Sequence, residues 1–271
     1  MSLQWYPGHM TKGRRELAKL MPSQDVVIEV LDARCPRSSS NPLVAEIAAR
    51  KPIVRVLARA DMADPALTKQ WLAHFGELAF AASKDNPSHT RKRIRELTRD
   101  KARHRGPDKD VRALICGVPN VGKSTLINLL MGRQVAKVSD RPAVTTRQQT
   151  VELPDGTELT DSPGLMWPKI EDERGAFRLA ICGSIPDTAL DYYEIGVFAA
   201  SYFLWRYPEL IKARFGVETD DPATLLTEIG KRRGGLLKGG AVDITKAADL
   251  LIHEFRHGQI GRITLEAPPT G

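Results

Sequence analysis

Two kinds of hydrophobic pattern divide the chain. Residues 25–31 (Asp-Val-Val-Ile-Glu-Val-Leu), 53–57 and 111–116 are short, nearly continuous apolar runs rich in β-branched residues, which predict strands buried on both faces. Helical spacing at residues 43–50, 71–75 and 126–131 falls between or after them, and residues 78–82 add a short strand of small residues. Residues 150–153 and 158–160, joined by Pro154-Asp155-Gly156, predict a hairpin with an Asp-Gly turn. Such alternation predicts an α/β fold with a mainly parallel sheet and helices on both faces. From about residue 171 the strands stop. Residues 174–182, 190–205, 208–215, 222–232 and 245–255 all read as helices, and Pro208 and Pro222 open two of them at first-turn positions. The expected division is a first domain over 1–170 and a small all-helical domain over 171–271. Tyr192, Tyr193, Phe198, Tyr202, Phe203, Trp205 and Tyr207 are expected in the core of the second.

Composition narrows the class. The 271 residues, 42% hydrophobic and 27% charged, hold no apolar run long enough to span a bilayer. The first residues carry neither a signal-peptide core nor an arginine-rich transit sequence, so a cytoplasmic location is expected. Cys35, Cys116 and Cys182 are far apart in sequence and fit neither a zinc site nor a disulfide framework; reduced thiols are expected. A net charge of +7 favours a polyanionic partner, nucleic acid first. Residues 91–112 carry ten Lys or Arg against four Asp or Glu, which suits either a solvated helix face or nucleic-acid contact. The basic, glycine-rich stretch 231–240 reads as a loop suited either to phosphate contact or to flexible solvation.

The chemistry concentrates in Gly117-Val-Pro-Asn120-Val121-Gly122-Lys123-Ser124-Thr125, set between a strand and a helix. This is G-x-x-x-x-G-K-[ST]: backbone N–H groups cradle phosphates, Lys123 reaches the β- and γ-phosphates, and the Ser124 hydroxyl takes Mg²⁺. A nucleoside triphosphate is the expected ligand. Asp161, at a strand end in Asp161-Ser-Pro-Gly164, stands where P-loop NTPases reach Mg²⁺ through water. A metabolic kinase could use the same loop, but the chain lacks a small-substrate signature. His9, after a Pro-Gly turn, is by itself an ordinary loop histidine.

The order of motifs is unusual. GTPases place the phosphate loop first and their guanine-holding Asn-Lys-x-Asp and Ser-Ala motifs last, whereas here the base-binding candidates Ala58-Arg59-Ala60-Asp61 and Ala82-Ser83 precede Gly117. The chain resembles a circularly permuted P-loop GTPase. With Trp5 to Met10, Asp32-Ala-Arg34, Asn41-Pro42, Arg141-Pro142, Thr145-Thr146 and Trp167-Pro168, it resembles the ribosome biogenesis GTPase A family, also called YlqF, and its mitochondrial relatives over essentially all 271 residues. That resemblance implies GTP and GDP as ligands and a role late in assembly of the large ribosomal subunit, whose precursor and rRNA would be the partners. No membrane is implied, and a monomer is expected off the ribosome. It makes Thr145 the switch threonine at Mg²⁺ and Gly164 the glycine of Asp-x-x-Gly. Because Leu165 replaces the water-orienting glutamine of Ras-type enzymes, it also points to His9 as the group that orients water, and to Asn120 as a ligand for K⁺.

One departure bears on affinity. Ala58 stands where the family has asparagine, losing an amide bond to the guanine imidazole edge and a tie between loops, while Asp61 can still pair with the guanine N1 and N2 donors. Arg59 is expected to lay its stem and guanidinium on the base. Two readings follow: a slow GTPase stimulated by the ribosomal particle, or an RNA-binding assembly module with weakened or lost guanine binding. A smaller departure is Ala143 in place of a glycine.

Overall fold

The computed structural model describes residues 15–48, 50–82, 84–102, 106, 110–134, 136, 149–162, 172–185, 191–237 and 239–269. Six strands form one sheet: β1 (Val26–Asp32), β2 (Ile53–Ala58), β3 (Ala79–Ala81), β4 (Arg112–Cys116), β5 (Gln149–Glu152) and β6 (Glu158–Asp161). Their spatial order is β3-β2-β1-β4-β6-β5. All neighbours pair in parallel except β5 and β6, the expected hairpin, closed at Gly156 with φ 80°. The parallel strands therefore end at one edge, which collects Asp32, Ala58, Ala82, Gly117 and Asp161.

Alternation along β1 explains why helices lie on both faces. Val26, Ile28 and Val30 join a core with Ile94 and Leu97 of helix Pro87–Lys101 and with Leu126, Ile127 and Leu130 of helix Lys123–Met131. Val27 points the other way, to Val44 and Ala48 of helix Pro42–Ala48, and Leu31 meets Trp71 of helix Pro65–Phe75. On that second face Glu29 is buried and closed by Arg55 Nε at 3.2 Å and the Asn41 N–H at 3.1 Å.

Helices Glu173–Ile181, Tyr192–Arg206, Pro208–Phe215, Pro222–Arg232 and Ile244–Arg256 pack together through Leu179, Phe203, Leu225 and Leu251, all fully buried. This packing is continuous with the first sheet-face core. Two of the aromatic residues expected inside are not: Tyr193 is 46% and Trp205 73% exposed. Both lie on helix Tyr192–Arg206, whose inner face is made by Ile195, Ala199 and Phe203 four residues apart, so these two positions face away.

After the last helix the chain runs as a strap, residues 260–266, along the sheet edge. Thr264 Oγ lies 3.3 Å from the Ala33 carbonyl, and the Leu265 N–H donates to the Arg34 carbonyl at 2.6 Å. Glu266 accepts from the Ser38 N–H and hydroxyl at 2.8 and 2.7 Å, and its carbonyl accepts from Trp71 Nε1 at 3.0 Å. The polar loop expected after β1 is thus a docking surface for the chain's end, with a short helix, Pro36–Ser39, inside it.

Candidate nucleotide site

The phosphate loop leaves β4 at Gly117, whose φ is 155°. A Cβ there would lie 2.5 Å from the Val30 carbonyl oxygen, so only glycine lets the loop pass this close to β1. Asn120 (φ 57°) and Gly122 (φ 110°) complete the turn in left-handed conformations. Helix Lys123–Met131 then begins with Gly122 as its N-cap and no capping side chain, although helices starting at Pro65, Pro87, Glu173, Tyr192, Pro222 and Ile244 all have an Asp or Asn cap. Its first N–H groups are left for an anion.

Lys123 is buried, and its Nζ donates to the carbonyls of Gly117 and Val118, both at 3.0 Å. Burial lowers its pKa, and the negative charge of Asp161 opposes that. Asp161 is buried in turn, which pushes its carboxyl up to about 6 against the pull of Lys123. One of its oxygens, Oδ1, has no hydrogen-bond partner among the described residues. A buried, orphaned carboxylate oxygen beside a folded-back phosphate-loop lysine fits a site for Mg²⁺ and a polyphosphate, with Ser124 at the start of the helix as the second Mg²⁺ group.

The second loop follows β2. Arg59 has φ 60°, and its Nη2 donates to the Asn120 carbonyl at 2.7 Å. Its Nη1 lies 3.6 Å from Asp32. Here the expectation needs correcting: the guanidinium is held against the phosphate loop and Asp32. This contact also joins the two loops, a tie that Ala58, 7% exposed beneath Gly122, cannot make. Asp61 is half-exposed, and none of the described residues hydrogen-bonds its carboxylate. Ala60 and Ala82 are buried, and the Ala82 N–H donates to the Leu57 carbonyl at 2.8 Å. Val121 is fully buried and Thr125 half-buried. His9, Ser83, Thr145 and Gly164 lie outside the described residues.

Sequence reasoning missed what surrounds these loops. Asp32 and Arg34 form a fully buried pair, Nε to Oδ1 at 2.9 Å and Nη2 to Oδ2 at 2.8 Å, with the guanidinium 4.9 Å from the Phe255 ring centre. Burial pushes the Asp32 carboxyl up, but Arg34 outweighs it and holds the pKa below its ordinary value. Cys35 and Cys182, remote in sequence, are free thiols with sulfurs 3.3 Å apart. Asp32 lies close enough to complete a metal-like trio, but both of its oxygens are bonded to Arg34. The Asp-Ala-Arg spacing was a visible signal; nothing in the sequence announced the thiol pair.

The basic stretches are largely occupied within the chain. Arg91 donates to the Leu129 carbonyl at 3.1 Å, Arg95 reaches Asp155 at 3.8 Å, and Arg99 donates to the Asp155 carbonyl. Lys231 and Arg232 pair with Glu228, and Arg233 reaches Glu254 at 3.9 Å. Beyond Arg233, Leu236 bridges Val242, and the Gly240 N–H donates to the Leu237 carbonyl at 3.1 Å; Lys238 lies outside the described residues.

Residues 112–184 match the family described as "50S ribosome-binding GTPase". The ribosome biogenesis GTPase A of Bacillus cereus is 42% identical, the match covering 99% of this chain and 95% of that protein. YlqF of Thermotoga maritima, solved in GDP-bound and GNP-bound forms, superposes with a TM-score of 0.68 at 30% identity. These matches cover 94 and 95% of this chain and 99 and 98% of the two structures, respectively. With strand order, phosphate loop and full-length similarity in agreement, the chain belongs to the ribosome biogenesis GTPase A family.

Proposed function

We propose that this GTPase is an assembly factor for the large ribosomal subunit that binds pre-ribosomal RNA and leaves it after hydrolysing GTP. The observation that carries the reading is the sheet edge, where Gly117, Lys123, Asp161, Ala58 and Asp61 gather from the ends of three parallel strands. Gly117 to Thr125 cradle the phosphates, Lys123 leaves its loop carbonyls for the β- and γ-phosphates, and Asp61, flanked by Ala58, Arg59, Ala60, Ala82 and Ser83, reads guanine. Ser124, Thr145 and Asp161 hold Mg²⁺, which when bound neutralises charge on the phosphate oxygens. Asn120 supplies an oxygen to K⁺. Thr145 and Gly164 sense the γ-phosphate, and His9 orients water. Residues 171–271 act as the RNA- and ribosome-binding domain. The GDP- and GNP-bound relatives support the nucleotide part of this reading. The relatives' names support the ribosomal part.

The test is co-sedimentation with large-subunit precursors in GTP and in GDP. Native protein should bind in GTP and release in GDP, and Lys123→Ala should do neither in response to nucleotide. Nucleotide-independent association of both proteins would overturn the switch.

Ala58 favours a second reading, an RNA-binding module with weak guanine affinity. Restoring the amide by Ala58→Asn should then tighten GDP binding by up to ~3 kcal/mol. If the native protein binds ATP as well as GTP, Asp61 is not reading the base.

A further inference from the structure

The geometry points to Arg262, in the strap that follows the last helix, as a residue that positions Asp61 for base recognition. The inference rests on the proposed role of Asp61 as the group that reads guanine.

Residues 262–264 hold the loop after β2 from the side of the helices. Arg262 Nη2 donates to the Ala60 carbonyl and its Nε to the Ala63 carbonyl, both at 3.0 Å. The Ile263 N–H donates to the Met62 carbonyl at 3.1 Å. The carbonyls on both sides of Asp61 are therefore fixed by two consecutive residues of one strap. One residue further on, the Asp64 N–H donates to Thr264 Oγ at 3.0 Å, and the Asp64 carboxylate accepts from the Tyr207 hydroxyl at 3.1 Å.

Base discrimination depends on where a carboxylate sits to within a fraction of an ångström, because both of its oxygens must meet the N1 and N2 donors together. In this chain the need for outside support is greater than usual. Ala58 has no amide to tie the loop to its neighbours, and Arg59 anchors only the stretch before Asp61. Arg262 anchors both sides of it. Ile263, Thr264 and Leu265 are buried, so the strap's backbone is fixed by the core, whereas the Arg262 side chain is exposed and can be changed without opening that core.

The experiment measures GDP, IDP and XDP affinities for native protein, Arg262→Ala, Arg262→Lys and Asp61→Asn, with GTP kinetics alongside. IDP lacks the 2-amino group, so the GDP-to-IDP ratio reports the Asp61 contact alone. Arg262→Ala should lower that ratio about two- to ten-fold, the worth of one or two exposed hydrogen bonds. It should raise KM for GTP by a similar factor and leave kcat nearly unchanged. Arg262→Lys, able to reach one carbonyl, should fall between. An unchanged GDP-to-IDP ratio in Arg262→Ala, including a loss shared equally by both nucleotides, overturns the positioning role; if that variant does not fold, an unchanged ratio in Arg262→Lys does so. Asp61→Asn tests the reading beneath it. Its amide should swap preference toward XDP, and failure to do so overturns the role of Asp61 itself whatever Arg262 does.

Discussion

The side-chain amide of Asn120 donates to the carbonyl of Gly183 across 2.8 Å, joining the phosphate loop to the segment that ends helix Glu173–Ile181. The same residue carries the oxygen proposed for K⁺. An asparagine offers one group of each kind, so the tether and the cation can be served together and separated by substitution. Asn120→Asp keeps an oxygen and loses the donor to Gly183; it should retain faster hydrolysis in K⁺ than in Na⁺. Asn120→Ala loses both and should fall by about ten-fold in K⁺, the worth of one charge-assisted contact. Equal native rates in K⁺ and Na⁺ would remove the cation and leave the tether as the residue's role.

The raised pKa of Asp161 makes a prediction about stability without nucleotide. A carboxyl pushed up to about 6 from 3.8 binds more protons folded than unfolded between those values. Stability is therefore greatest below pH 4 on this account and is lost as pH rises through about 6. Asp161→Asn escapes that cost. Urea unfolding at pH 8 should find the variant more stable than native by about 1–3 kcal/mol, with a smaller gap at pH 5. Native protein in Mg²⁺ and GDP should reverse the order, because the cation favours the charged carboxylate. A gap independent of pH would show that Asp161 is not the group titrating.

How much of this was legible beforehand depends on the length scale of the signal. The phosphate loop, the β-branched strands and the Asp-Gly hairpin are local patterns, and each stands where it was expected. Helix Pro65–Phe75 begins well before the predicted 71–75, although Asp64-Pro65 is a cap followed by a first-turn proline. Asn86-Pro87 likewise opens helix Pro87–Lys101. The strap was invisible because Ile263 and Leu265 form no regular element and are held by partners some two hundred residues away, Met62 and Arg34. For the same reason Arg262 read as one more surface charge. Tyr193 and Trp205 show the converse limit: aromatic content marked the helix as a packing element, but the face was set by Ile195, Ala199 and Phe203.

The most consequential prediction concerns how hydrolysis is kept for the right moment. Leu165 cannot polarise water, Asp32 is bonded to Arg34, and Asp161 beside Lys123 is a proposed Mg²⁺ group. In the proposed function His9 orients the water, a task that suits an imidazole near neutral pH. His9 is far from the phosphate loop in sequence, so a ribosomal particle that positions it would couple hydrolysis to assembly. GTPase rates should be measured in K⁺ buffer with and without large-subunit particles, for native protein and His9→Ala. Particles should stimulate the native enzyme strongly, and His9→Ala should lose roughly a hundred-fold of the stimulated rate while its GTP affinity stays as it was. Equal native rates with and without particles, or full stimulation of His9→Ala, would sink this mechanism and leave the GTPase assignment standing.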